Sequence, residues 1–274
     1  MEKFQLSILF KIVGIGSASG LLYQNDRLYI ISDTSTYLYE YTIAEQKLNK
    51  IALLENSQEN IPKKSKPDFE SIALFDDYIA VLGSGSTVHR NAIVLYSPKS
   101  KEIKIQSMNS VYSMIKSQHF FKDNELNIEG FITRDNVSYF FQRGNGLSGK
   151  NGIIYGDNTN QVTQYNFVAF DLPKINNVAA TFTDAIVVDD KIYFLASAED
   201  TTSTFYDGEI MGSIIGTINL KTMTLESNIQ ISDCHKFEGL TLFKKTATQI
   251  EFLLCDDNDS RLLESTIYKL VLRN

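Results

Sequence analysis

A chain of 274 residues with 43% hydrophobic side chains, 17 Phe, 14 Tyr and only 4 Pro can bury a large core and fits a strand-rich globular fold. Its formal net charge of −7, with no segregated basic patch, argues against a nucleic-acid partner, whose phosphates would be repelled. The apolar run near the N-terminus, Leu6 to Phe10, is broken by Ser7 and is too short to span a membrane, which leaves the expectation of a cytoplasmic monomer without a membrane partner.

In chain order, Phe4 to Ile12 reads as a strand that precedes any repeat. Five units then follow one pattern: a small or acidic residue, a short apolar strand, a tight polar turn and a second apolar strand. They open at Ser19, Glu70, Glu129, Asp184 and Glu238, with spacings of 51, 59, 55 and 54 residues. Such intervals suit one four-stranded blade each. The turns, Asn25-Asp26, Asp76-Asp77, Asp135-Asn136 and Asp189-Asp190, carry residues that tolerate the left-handed conformations of two-residue hairpins. Third strands are expected at Tyr37 to Thr42, Ala92 to Tyr96, Gly152 to Tyr155, Ser213 to Leu220 and Thr266 to Leu272. Fourth strands follow in the first four units only. The fifth unit runs out of chain, so Phe4 to Ile12 supplies its missing outer strand and closes the ring. The fold class is therefore all-β, a five-bladed β-propeller, in a single domain over residues 1–274.

Between these units, Glu55 to Lys66 reads as a surface loop. Ser107 to Leu126 places Val111, Met114, Ile115 and His119 at helical spacing, and Ala198 to Gly212 lengthens the second-to-third-strand connection of blade four. Cys234 and Cys255 are too few for a disulfide framework and read as free thiols.

In a four-stranded meander the start of the first strand and the end of the second lie on one face. That geometry brings Glu70, Glu129, Asp184 and Glu238 to one mouth of the central channel, with Ser19 in the fifth place. Asp33, Ser84, Arg143, Glu199 and Asp256 come next, then Asp257 and Asp259. Carboxylates so close must protonate, bind water at a cost or share a cation. Oxygen ligands of this kind suit Ca²⁺, and the scattered His89, His119 and His235 offer no zinc set. Ser19, Glu70, Glu129, Asp184 and Glu238 are thus the candidate metal ligands. The competing structural reading is that these acids bond backbone amides of the neighbouring blade. Ser84, His89, Arg90, Asn145, Lys150 and Arg261 would surround the acids and hold a small anionic ligand, helped by Gly83, Gly85, Gly144 and Gly146.

The units Ser19-Gly-Leu-Leu-Tyr-Gln-Asn-Asp-Arg-Leu-Tyr-Ile-Ile-Ser-Asp, Phe69-Glu-Ser-Ile-Ala and Phe237-Glu-Gly-Leu resemble those of calcium-activated nucleotidases (apyrases) and of esterase-like phytase propellers. Bacterial propellers without an assigned activity carry similar units. The apyrase resemblance implies a five-bladed ring with calcium in its channel and nucleotide hydrolysis at the mouth. Glu70, Glu129 and Glu238 would correspond to channel acids, with Asp184 a conservative variant; Ser19 departs from the pattern. Two readings follow. In one, the chain is a propeller that binds a cation and a small anionic ligand or partner. In the other it is a calcium-dependent phosphoester or phosphoanhydride hydrolase, with Glu129 as the base and Arg143 steadying the leaving charge.

Overall fold

The computed structural model describes residues 4–122, 124–157, 164–203, 206, 208–257 and 263–273. Strand β1 (Phe4–Val13) precedes the first blade, which is β2 (Ala18–Gln24), β3 (Arg27–Ser32), β4 (Tyr37–Thr42) and β5 (Lys47–Ala52). Blade two is β6 (Phe69–Phe75), β7 (Tyr78–Gly83), β8 (Ala92–Tyr96) and β9 (Ile103–Ser107), followed by helix α1 (Asn109–His119). Blade three is β10 (Ile128–Arg134), β11 (Val137–Gln142), β12 (Gly152–Asp157) and β13 (Asn166–Ala169). Blade four adds a short strand β14 (Lys174–Ile175) to β15 (Val178–Val188), β16 (Lys191–Asp200), β17 (Glu209–Asn219) and β18 (Thr224–Ser232). Blade five is β19 (Phe237–Lys245), β20 (Gln249–Asp256), β21 (Glu264–Arg273) and, as outermost strand, β1.

All pairings are antiparallel within a blade, and β1 runs against β21 from Phe4–Leu272 to Val13–Glu264. The expected ring closure by the N-terminal strand is thus observed. The hairpin turns adopt the left-handed backbone their Asn and Asp residues favour: φ is 52° and 61° at Asn25-Asp26, and 51° and 64° at Asp135-Asn136. In blade four the extension between second and third strands is a continued ladder, since Asp200 still pairs with Glu209.

The core is divided among the blade interfaces. Each apolar cluster joins neighbouring blades, as where Phe141 of blade three meets Phe182 and Phe194 of blade four, or Leu21 and Ile30 of blade one meet Leu253 and Cys255 of blade five. Gly239 shows how tight these seams are, because a Cβ there would lie 2.6 Å from Cys255 Sγ and 2.9 Å from the Leu21 amide nitrogen. Helix α1 lies where a helix was expected and covers the seam between blades two and three. Its Tyr112 and Ile115 are buried and the Tyr112 hydroxyl donates to the Gly83 carbonyl at 2.8 Å. Both cysteines are free thiols, Cys255 buried and Cys234 exposed.

Candidate functional site

Each blade opens with the same irregularity. In blade one the pairing passes from Ala18–Ser32 to Gly20–Ile31, in blade two from Phe69–Gly83 to Ser71–Leu82, and in blade three from Ile128–Gln142 to Gly130–Phe141. Blades four and five repeat it at Phe182–Ala196 and Phe237–Asp256. The extra residue of each bulge is Ser19, Glu70, Glu129, Thr183 and Glu238. A bulge bends its strand and re-aims one side chain, and here it sits at the same end of every innermost strand.

This register corrects the fourth repeat by one residue. Asp184 lies one position past the bulge, beside Ala185 and the next blade. Its Oδ1 accepts from the Ala185 amide and its Oδ2 from the Leu240 amide, both at 2.7 Å, so it ties blade four to blade five. Thr183 holds the ring position instead, and its hydroxyl donates to the Phe237 carbonyl at 2.6 Å. Ser19 does the same for the first seam, donating to the Phe69 carbonyl at 2.6 Å. For these residues the structural reading of the ring describes what is observed. Glu70, Glu129 and Glu238 instead line a cavity of about 160 Å³ at the channel mouth.

That cavity is a lattice of buried charges. On the side of blades one and two, one carboxylate oxygen from each of Asp33, Asp68 and Glu70 lies within 4.8 Å of the others. The Lys66 ammonium bonds Asp33 and sits 2.8 Å from Asp68 Oδ1. Arg90 Nη1 donates to Asp68 Oδ2 at 2.8 Å and Ser84 donates to the same oxygen. Across the mouth, Arg143 bonds Glu199, lies 3.3 Å from Glu129 Oε1 and 4.0 Å from Glu238 Oε1. Lys236 Nζ is 2.8 Å from Glu238 and 3.7 Å from Asp257. Asn127 donates to Glu129 Oε1 at 2.6 Å. Among the described lining residues, seven carboxylates thus meet five cationic side chains, Lys63, Lys66, Arg90, Arg143 and Lys236. The protein supplies most of the positive charge its acids require.

Neutralisation is uneven. Among the described residues no hydrogen-bond donor reaches Glu70, which is 8% exposed, and the nearby Lys66 charge only partly offsets its burial. Burial, with the charges of Asp68 and Glu129 added, pushes its pKa well above the usual glutamate range. Burial also raises Asp33, whose Oδ1 is buried and without a hydrogen-bond partner. Glu238 is raised well above its ordinary value by burial despite Lys236 beside it. For Lys66 burial opposes the charge, but Asp68 and Asp33 outweigh it and raise the ammonium pKa. The ammonium therefore stays charged.

The remaining expected residues separate into two groups. Arg90, Arg143 and Asn145 line the cavity, and Ser84 stands behind Asp68. His89 is exposed, in a 3-10 turn, and Lys150 donates to the carbonyls of His119 and Phe120 at the end of α1. Neither is among the residues that line the cavity. Arg261 and Asp259 lie outside the described residues. In blade five Asp257 faces the cavity, whereas Asp256 bonds His235 Nδ1 at 3.0 Å and Tyr268. Asp68, Lys66, Lys236 and Asn127 were not anticipated. A signal existed: Ser17, Asp68, Asn127 and Lys236 each stand two residues before a bulge, and all four line the cavity.

No curated protein matches the chain. Among solved structures it is similar to a glutaminyl cyclase from Myxococcus xanthus, at a TM-score of 0.56 and 8% identity over 98% of this chain and 97% of that one. It is also similar to a luciferin-regenerating enzyme, at a TM-score of 0.50 and 9% identity over 97% and 95% of the two chains. At such identity the likeness shows a shared fold. Residues 14–272 match the model of DUF6929, a family of unknown function, and the chain belongs to that family.

Proposed function

We propose that the protein is a binding module whose channel mouth takes up a cation between Asp33, Asp68 and Glu70. The observation that carries this reading is Glu70, a buried carboxylate that faces the cavity with no hydrogen-bond donor among the described residues, next to Asp33 Oδ1, which has none among them either. Leaving such oxygens unpaired is costly, and a cation relieves the cost. Among inorganic ions the all-oxygen donor set suits Ca²⁺. Its entry requires the Lys66 ammonium to leave the Asp33–Asp68 fork, after which Lys66 is available to an anionic group accompanying the ion.

Hydrolysis is the less favoured reading. A base must be free to accept a proton from water, and a group that steadies a leaving charge must be free to meet it. Glu129 and Arg143 are instead held by one another, by Asn127 and by Glu199.

Thermal unfolding in CaCl₂, MgCl₂ and EDTA tests the proposal. A ligand at a hundredfold excess over its Kd stabilises the fold by about 2.7 kcal/mol. For a chain of this size that raises Tm by several degrees, at about 2–4 °C per kcal/mol. The expected result is a rise with Ca²⁺ that Glu70→Gln abolishes. Identical melting in millimolar calcium and in EDTA would remove the calcium reading.

A further inference from the structure

The cavity is polar, and a few exposed apolar side chains stand close to its mouth. Tyr206 lines the mouth and is 72% exposed. Leu147, 87% exposed, lines an adjoining depression of about 410 Å³ that shares Arg90 and Ser203 with the mouth. Thr87 lines the same depression, and the residue after it, Val88, is 76% exposed. These exposed apolar side chains beside a charged pit offer contact points for whatever enters it.

The geometry points to a lysine side chain of a partner peptide, flanked by apolar residues, as the cation that enters this cavity. The inference rests on the cation-binding reading above and names its ligand. The fork between Asp33 and Asp68 already seats an ammonium, that of Lys66, so its oxygens are placed for N–H donors. Glu70 beside it offers acceptors that no described residue uses. Lysine delivers three donors on a slender apolar stem, whereas arginine presents a wider planar fork. Among the described lining residues, seven carboxylates against five cationic groups favour a positive guest. The peptide's apolar neighbours would then lie on Leu147 and Tyr206, and Ca²⁺ and the peptide would compete for the same carboxylates.

Calorimetric titration of the full chain with acetyl-Leu-Lys-Leu-amide tests this, against the same peptide with norleucine for lysine, butylamine, and CaCl₂. The lysine peptide is expected to bind at least about tenfold more tightly than the norleucine peptide, since a charge-assisted contact to a buried carboxylate is lost. Leu147→Ser should weaken the peptide and leave butylamine and Ca²⁺ unchanged. Equal binding of the two peptides, or butylamine binding as tightly as the lysine peptide, would overturn the peptide assignment while the cation reading stands. Absence of heat from peptide, amine and calcium alike would remove both. Glu70→Gln should lower peptide affinity by about tenfold. If that variant does not fold, competition on the unaltered protein decides: peptide and Ca²⁺ binding together without interference would contradict the assignment.

Discussion

Glu70 is the residue on which the site turns. In the unfolded chain it titrates near the ordinary glutamate value of about 4.3. In the fold, burial and the charges of Asp68 and Glu129 hold its pKa well above that. The native state therefore keeps a proton that the unfolded state releases, and Glu70 costs stability progressively as pH rises above the ordinary value. Glu70→Gln removes that cost, so the variant is expected to be more stable than the parent at neutral pH. The advantage should shrink as pH falls toward the ordinary glutamate range. Urea midpoints from acid to neutral pH measure it, and a difference that is flat with pH would argue against a strained Glu70. Its position, with those of Glu129 and Glu238, was legible in the sequence because each bulge recurs at the head of an apolar strand. The cations that answer them were not. Lys66 looks like one more lysine of a polar loop, and only the fold carries it to Asp33 and Asp68.

At the scale of the strand, the repeated bulge serves two purposes. Where the extra residue is a glutamate it faces the cavity; where it is Ser19 or Thr183 its hydroxyl bonds the carbonyl of the next blade. Removing such a buried bond leaves a carbonyl without its donor, at about 1–3 kcal/mol. Ser19→Ala and Thr183→Val are each expected to lower the unfolding free energy by that amount, read as a lower urea midpoint at an unchanged m-value, because the seam loosens but the fold is kept. A Thr183→Val variant as stable as its parent would mean that the seam does not depend on this bond. The slip that placed Asp184 in the ring has a plain cause. Thr183 and Asp184 are both polar, and only the second is an acid like Glu70, Glu129 and Glu238. Aligning on the buried residue before the bulge, Phe182 with Phe69 and Phe237, gives the observed register.

The whole molecule is a ring whose stability depends on closure. Strand β1 pairs with β21 along nearly its full length, and Phe4 and Leu6 pack against the cluster that joins blades four and five. Deleting residues 4–13 would expose β21 as an edge and open that cluster. The expected outcome is a loss of several kcal/mol, on the order of burying two or three large apolar side chains, together with concentration-dependent association on size exclusion. Unaltered stability and a monodisperse profile would show that the closure is ornamental. Fold, blade count and closure were readable because each rests on local patterns: alternating strands, Asn and Asp turns, and a spare first strand that matches a last unit one strand short. The site was readable only in part, because the cavity is assembled from loops whose convergence no single stretch of sequence encodes.

The central claim is that the Asp33–Asp68–Glu70 corner accepts a cation from outside the chain. Anomalous diffraction from crystals soaked in calcium tests it most directly. A peak is predicted between those three carboxylates, with the Lys66 side chain withdrawn from the fork. A map at saturating calcium that shows no peak there, and Lys66 still bridging Asp33 and Asp68, would contradict it.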